Sequence, residues 1–200
     1  GVVAEYVALW DRNKETLPTK PIEIGGEREG VAVEIALQWN DGYAESIHCY
    51  ANNINTHDGG THLAGFRGAL TRSLNSYVLS AGLLKEGEGF EGEDTREGLT
   101  AVISVKVPNP QFEGQTKAKL GNVSIRSLVQ KVTNDKLAEW LLENPAEANR
   151  VVKKALAAAQ ARVAAKNARN AIRRKTALSG AGMPDKLKDC QSRDPRESEL

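Results

Sequence analysis

Residues 31–39 read VAVEIALQW, and their strict alternation decides what kind of fold this chain can have. Val31, Val33, Ile35, Leu37 and Trp39 fall on one side of an extended chain, with Ala32, Glu34, Ala36 and Gln38 on the other. Successive strand side chains point to opposite faces, so this is a strand with one buried face. Asn40-Asp41-Gly42 supplies turn residues, and residues 44–54 then read as the returning strand of a hairpin. A second alternating stretch covers 99–107, where Leu99, Ala101, Ile103, Val105 and Val107 share a face. Around these strands the period changes. Residues 1–13 place Val3, Tyr6, Val7 and Trp10 on one helical face, and Pro18 and Pro21 end that helix. A long helix from Thr61 carries Leu63, Phe66, Leu70, Leu74 and Tyr77 as its apolar stripe, with Arg67 and Arg72 off the stripe and able to face outward. Residues 84–96, rich in Gly and acid, read as a mobile surface loop. Residues 123–143 are helical again, with Ile125, Leu128, Val129, Val132, Leu137, Trp140 and Leu141 as the stripe.

The second alternating strand delivers the chain into PNPQFEGQTKAK, residues 108–119. Two prolines bracket Asn109 and keep the start of this loop out of the helical region. Gly114 permits a sharp turn that puts Gln115 and Lys117 at a tip. Two residues apart on an extended loop, they offer amide and ammonium donors in one direction. That pair suits a multiply charged oxyanion such as a terminal phosphate; the alternative is a lysine that is merely solvated.

Asn144 marks a boundary, able to N-cap a new helix with Pro145 at its first position and Glu147 at its third. The helix runs from 145 to about 177, is Ala-rich, and holds nine basic and no acidic residues between 150 and 175. Val152, Leu156, Ala159 and Val163 form a seam, and Arg162, Lys166, Arg169 and Arg173 a parallel basic stripe. Large apolar residues nearly vanish beyond Val163, which reads as a stiff rod with a wet, positive far half. Gly180, Gly182 and Pro184 end it, and the tail to Leu200 has too few apolar residues to fold alone.

With 40% hydrophobic and 26% charged residues in 200, the chain can bury a full core. No stretch approaches the roughly 20 apolar residues of a membrane span and no signal peptide opens it. Cys49 and Cys190 lie far apart without metal or disulfide spacing, which fits a reducing cytoplasm. The net charge of +1 hides a split: residues 1–149 carry 14 Lys/Arg against 21 Asp/Glu, and residues 150–200 carry 13 against 5. The positive part can meet an acidic partner, nucleic acid first, or simply be a solvated helix. His48 and Cys49 are strand neighbours on opposite faces and make no zinc site. His57-Asp58 lacks a serine in a nucleophile context. Gly59-Gly60 before a helix reads either as an anion site or as a tight loop-to-helix turn. There is no Walker A or GxGxxG loop.

Three blocks in order carry a family likeness: QWNDGYAESIHCYANNINTHDGGTHLAGFRGALTRSLNSY (38–77), REGLTAVISVKVPNPQFEGQTKAKL (96–120) and KLKDCQSRDPRESEL (186–200). Together they closely resemble the B subunits of bacterial DNA gyrase, over nearly the whole chain. Topoisomerase IV B subunits share the middle blocks. The resemblance implies the transducer domain, an α+β fold with a mixed sheet and a left-handed βαβ crossover, followed by a long helix. It divides the chain into a transducer body (1–144), a basic connecting helix (145–179), and a linker with the start of a Toprim domain (180–200). By the same likeness Gln115-Thr116-Lys117 matches the family's QTK loop. Lys117 would bond the γ-phosphate of ATP held by a neighbouring GHKL ATPase domain, with Gln115 beside it. Arg67 and Arg72 would line the cavity through which duplex DNA passes.

The resemblance further implies that the catalytic Glu and Mg²⁺-holding Asn lie before Gly1, and the Toprim metal site after Leu200. ATP and Mg²⁺ then belong to the full-length subunit, the 200 residues bind neither alone, and the segment by itself is expected to be inactive. Implied partners are the GHKL and Toprim domains of the same subunit, the gyrase A subunit, double-stranded DNA, and a second gyrase B copy in the ATP state, with no membrane. The implied role is coupling ATP binding and hydrolysis to DNA gate opening, strand passage and negative supercoiling in the cytoplasm. The competing readings are the equivalent topoisomerase IV segment, a standalone nucleic-acid module using the 150–175 helix, and a purely structural linker.

Overall fold

The computed structural model describes residues 1–85 and 88–178. The alternating stretch forms strand β2 (Val31–Asn40), and all five of its expected inward residues are buried. Its neighbours are not the expected ones. β2 pairs antiparallel with β1 (Thr16–Arg28) on one side and with β5 (Leu99–Lys106) on the other. The hairpin expected between 31–39 and 44–54 is therefore corrected. β3 (Ser46–Ala51) runs parallel to β5 on its far side, and β4 (Ile54–Asn55) pairs antiparallel with β3. The sheet order is β1-β2-β5-β3-β4. The reason lies in β5, whose residues from Leu99 to Ile103 are all buried. A strand apolar on both faces belongs in the middle of a covered sheet, so it takes the place a local hairpin partner would have had. β1, which the prolines concealed, is an edge strand. Pro18 and Pro21 sit there in a stretch where the register shifts, and an edge tolerates their missing N–H groups.

Helix α1 (Val2–Asp11) covers one face of the sheet. Ala4 and Val7 pack on Ala36 and Val102, whose small side chains admit a close approach. Tyr6, expected on the buried stripe, is instead 52% exposed, and Trp10 lies at the sheet edge stacked on His48 with ring centres 3.9 Å apart. The helix end is anchored by a buried carboxylate: Asp11 Oδ1 accepts from Thr100 Oγ1 at 2.8 Å and from Asn40 Nδ2 at 3.1 Å. A buried charge needs such donors to be tolerated.

The other face holds the main core. Phe66, Leu70 and Leu74 of α2 (Thr61–Ser80) and Ile125, Val129, Leu137 and Leu141 of α4 (Val123–Glu143) join the inward residues of β2 and β5. Gly65 lets the helices meet, since a Cβ there would overlap the Arg126 backbone. β3 and β5 are parallel neighbours joined through α2, which makes a βαβ unit. The expected mobile loop at 84–96 contains order: α3 (Gly92–Arg96) starts with a Glu91/Asp94 capping box, and the Asn75 amide holds buried Phe90 through its N–H at 2.7 Å and its C=O at 3.1 Å.

Helix α5 (Pro145–Leu178) follows Asn144, whose side-chain amide donates to Trp140 O of α4 at 3.0 Å instead of capping α5. Only its backbone carbonyl serves the new helix, accepting from Ala148 N at 2.9 Å. One compact unit comprises Gly1–Ala159. It extends past the boundary expected at 144 because Ala148, Val151, Val152 and Ala155 are buried in the main core. Of the second unit, the described part is residues 160–178, the continuation of α5. Val163, assigned to the seam, is 47% exposed, and side chains 164–177 are all exposed. The expectations for 180–200, and for Cys190, lie outside the described residues.

Candidate functional site

The loop after β5 closes into a small hairpin of β6 (Phe112–Glu113) and β7 (Lys119–Leu120). Gly114 (φ 80°) and Lys117 (φ 54°) turn the chain, and Lys117 N donates to Gly114 O at 3.4 Å. Gln115, Thr116 and Lys117 are exposed at the tip, as the glycine turn implied. The Lys117 ammonium lies 5.9 Å from the Phe112 ring centre, and Lys119 pairs with Glu113 at 2.9 Å across the hairpin.

The base of the hairpin is pinned from several elements. Asn52 clasps Val107, accepting from its N–H at 2.7 Å and donating to its C=O at 2.9 Å. Asn122 does the same across the hairpin mouth, accepting from Gln111 N at 2.7 Å and donating to Asn109 O at 3.0 Å. Backbone bonds tie β7 to the start of α2: Asp58 N to Ala118 O at 3.0 Å and Leu120 N to Gly59 O at 3.1 Å. Gly60 (φ 139°) is required there, because a Cβ would overlap the Leu120 backbone. The two glycines thus serve the tight turn. Sequence reasoning missed both asparagines. Asn52 had a signal, as one of two consecutive asparagines that both adopt positive φ.

The arginines stand on α2. Arg67 pairs with Glu45 Oε1, and Arg96 Nε donates to Glu45 Oε2 at 3.0 Å, so one carboxylate bridges two guanidinium groups. Arg72 is exposed, 3.2 Å from the Gln130 side-chain amide, and lines a cavity of about 400 Å³ between α2 and α4. Burial pushes the Cys49 thiol up to about 12, with Arg67 pulling weakly the other way, so this cysteine is a core residue and no nucleophile. His48 is lowered by burial and its Nε2 lies 3.2 Å from Ser46 Oγ. No group of three or more His, Cys, Asp or Glu among the described residues could hold a metal ion. No described helix is long and apolar enough to cross a membrane.

The fold is shared with solved ATPase-bearing domains of gyrase B and topoisomerase IV. The 43K ATPase domain of Thermus thermophilus gyrase B, solved with an aminocoumarin, superposes with a TM-score of 0.76 at 46% identity, covering 84% of this chain and 45% of that one. The topoisomerase IV ATP-binding domain of Francisella tularensis, solved with a small-molecule inhibitor, gives 0.70 at 29% identity, covering 80% and 44%. The DNA gyrase B family model matches residues 2–171, and the chain belongs to that family. The DNA gyrase B protein of Myxococcus xanthus is 55% identical over 100% of this chain, and that of Mycobacterium tuberculosis 52%. The chain spans 25% and 30% of those relatives' lengths.

Proposed function

We propose that this chain is the transducer segment of a gyrase B-type protein, coupling ATP binding and hydrolysis in an adjacent GHKL domain to DNA gate opening, strand passage and negative supercoiling. The observation that carries the reading is the exposed Gln115-Thr116-Lys117 tip on a hairpin whose base is fixed on every side. An exposed cation on a rigid mount can report the presence of a terminal phosphate next door. Lys117 would donate to the γ-phosphate and Gln115 would assist, while Mg²⁺ would be held by residues outside this chain. The β3–α2–β5 unit would correspond to the family's left-handed crossover. Identities of 51–55% over the whole chain to gyrase B proteins of several bacteria favour gyrase.

A charge-assisted hydrogen bond contributes roughly 1.5–3 kcal/mol. That is enough to shift a domain-orientation equilibrium by one to two decades, and the shift disappears when the phosphate leaves. β5 and α4, which flank the hairpin, would turn the body against the ATPase domain, and α5 would pass the motion toward the Toprim domain and the gyrase A subunit. A second gyrase B copy would complete the ATP-bound clamp. Arg67 and Arg72 would meet duplex phosphates without reading sequence. In the full-length subunit, Lys117→Ala is expected to abolish ATP turnover while nucleotide binding, followed by equilibrium titration, largely persists. Unchanged turnover would overturn the phosphate role.

The exposed, wholly basic stretch of α5 favours a second contribution, non-specific DNA contact by Lys166, Arg169 and Arg173. It would add to the coupling role without replacing it.

A further inference from the structure

Glu45 stands between two arginines that come from different helices. Its Oε1 accepts from Arg67 of α2 and its Oε2 from Arg96 of α3. The same turn carries Tyr43, which is 82% exposed, and receives Lys154 of α5. The Lys154 ammonium donates to Gly42 O at 3.0 Å and lies 6.0 Å from the Tyr43 ring centre. Arg67 Nε is buried without a hydrogen-bond partner. Three cations and an exposed ring therefore surround one short turn, and a single carboxylate serves two of the cations.

Each guanidinium reaches one oxygen of the shared anion through a single N–H, an arrangement that the two free oxygens of a phosphodiester would also accept. Here the anion is tethered, since it belongs to the chain itself. The bridge is partly exposed, and ion pairs in such places are weak and weaken further with salt. Displacing Glu45 with a phosphate thus costs little.

We propose that the Arg67–Glu45–Arg96 bridge is a binding site for the duplex phosphate backbone that the free protein keeps filled with its own carboxylate. Arg96 is then a second phosphate-binding guanidinium, and Glu45 is an internal competitor that tempers the affinity of the pair. The inference rests on the duplex-facing role proposed above for Arg67. Tyr43 and Lys154 flank the site and extend it along the turn.

The test is duplex binding by the full-length subunit, read by fluorescence anisotropy with a random-sequence DNA over a series of salt concentrations. Glu45→Gln keeps the size of the side chain and removes the competing charge. It is expected to tighten binding about three- to tenfold and to steepen the salt slope by about one phosphate equivalent. Arg96→Gln is expected to weaken binding by a similar factor, and the double variant to lose the gain. Melting curves establish that the variants fold, and if Glu45→Gln does not, Arg96→Gln alone decides, with unchanged binding overturning the site. If Arg67→Gln weakens binding but Glu45→Gln leaves it unchanged or weaker, the competitor role is overturned and the duplex-facing role stands. If Arg67→Gln has no effect, the duplex-facing role fails and takes this inference with it.

Discussion

At the start of α2, His62 is fully enclosed, with Nε2 3.1 Å from the Thr56 hydroxyl and Nδ1 without a partner. Burial lowers its pKa from the ordinary 6.5 to about 4, because the imidazolium would lose its hydration without gaining a counter-charge. The unfolded chain therefore takes up a proton near pH 6.5 and the folded chain does not until about 4. Stability from this group is full above pH 6.5 and drains away as pH falls toward 4, by roughly 3 kcal/mol at the limit. His48 acts in the same direction. Replacing His62 with Gln removes the titration at the buried position, so the difference in melting temperature between wild type and His62→Gln should narrow steadily from pH 7 to pH 4.5. Parallel curves would show that the imidazole is not excluded from charge in the fold. The histidine itself was visible in the sequence, three residues after Gly59, but nothing there marked it as buried. The turn just before it is bonded, through Asp58 and Gly59, to residues 118–120, a contact between segments nearly sixty residues apart.

The elements were legible where their own period carried the information. The stripes of α2 and α4 and the inward faces of β2 and β5 follow from side-chain spacing alone, and the structure buries those residues except Leu63, Tyr77 and Trp140, which are half-buried. Pairing was not legible. The turn signal at Asn40-Asp41-Gly42 is real, with Gly42 N donating to Asn40 Oδ1 at 2.8 Å, yet it turns the chain without making a hairpin because β5 fits between the two strands better than they fit each other. The QTK tip was legible for the opposite reason, since glycine and charge at an exposed turn are local properties. Its mount was not, because the asparagines that hold it come from 55 residues earlier and 11 later in the chain. Asn52 is the sharper test of that mount, as it closes two bonds on one residue. Asn52→Ala leaves both polar groups of Val107 without this partner, at a cost of about 1–1.5 kcal/mol. Amide exchange across 107–121 should speed up roughly tenfold by mass spectrometry, and ATP turnover in the full-length subunit should drop while melting shifts only slightly. Unaltered exchange would mean that the backbone bonds to Gly59 and Asp58 suffice without Asn52.

On the scale of the whole molecule, the acidic 1–149 and basic 150–200 parts meet within a single helix. The first turns of α5 are held by the core through Ala148, Val151, Val152 and Ala155, whereas the side chains of 164–177 are exposed. Packing cannot be what keeps that second half helical, so intrinsic propensity must do it, and the run of alanines supplies it. A helix built this way is suited to transmitting displacement, because its length does not depend on what surrounds it. The dependence on backbone continuity can be isolated. Ala164→Pro removes one N–H and sets a proline ring against the preceding turn, costing about 3 kcal/mol locally and kinking the helix. The position lies beyond the compact unit that ends at Ala159, so the body, the QTK hairpin and the arginines on α2 are untouched. In the reconstituted full-length enzyme, ATP turnover should therefore survive while supercoiling per ATP consumed falls at least severalfold. Ala164→Gly, costing only about 1 kcal/mol, should show the same separation more weakly. If supercoiling instead keeps pace with ATP use in the proline variant, motion does not travel along α5, and coupling must run through the surfaces of the body.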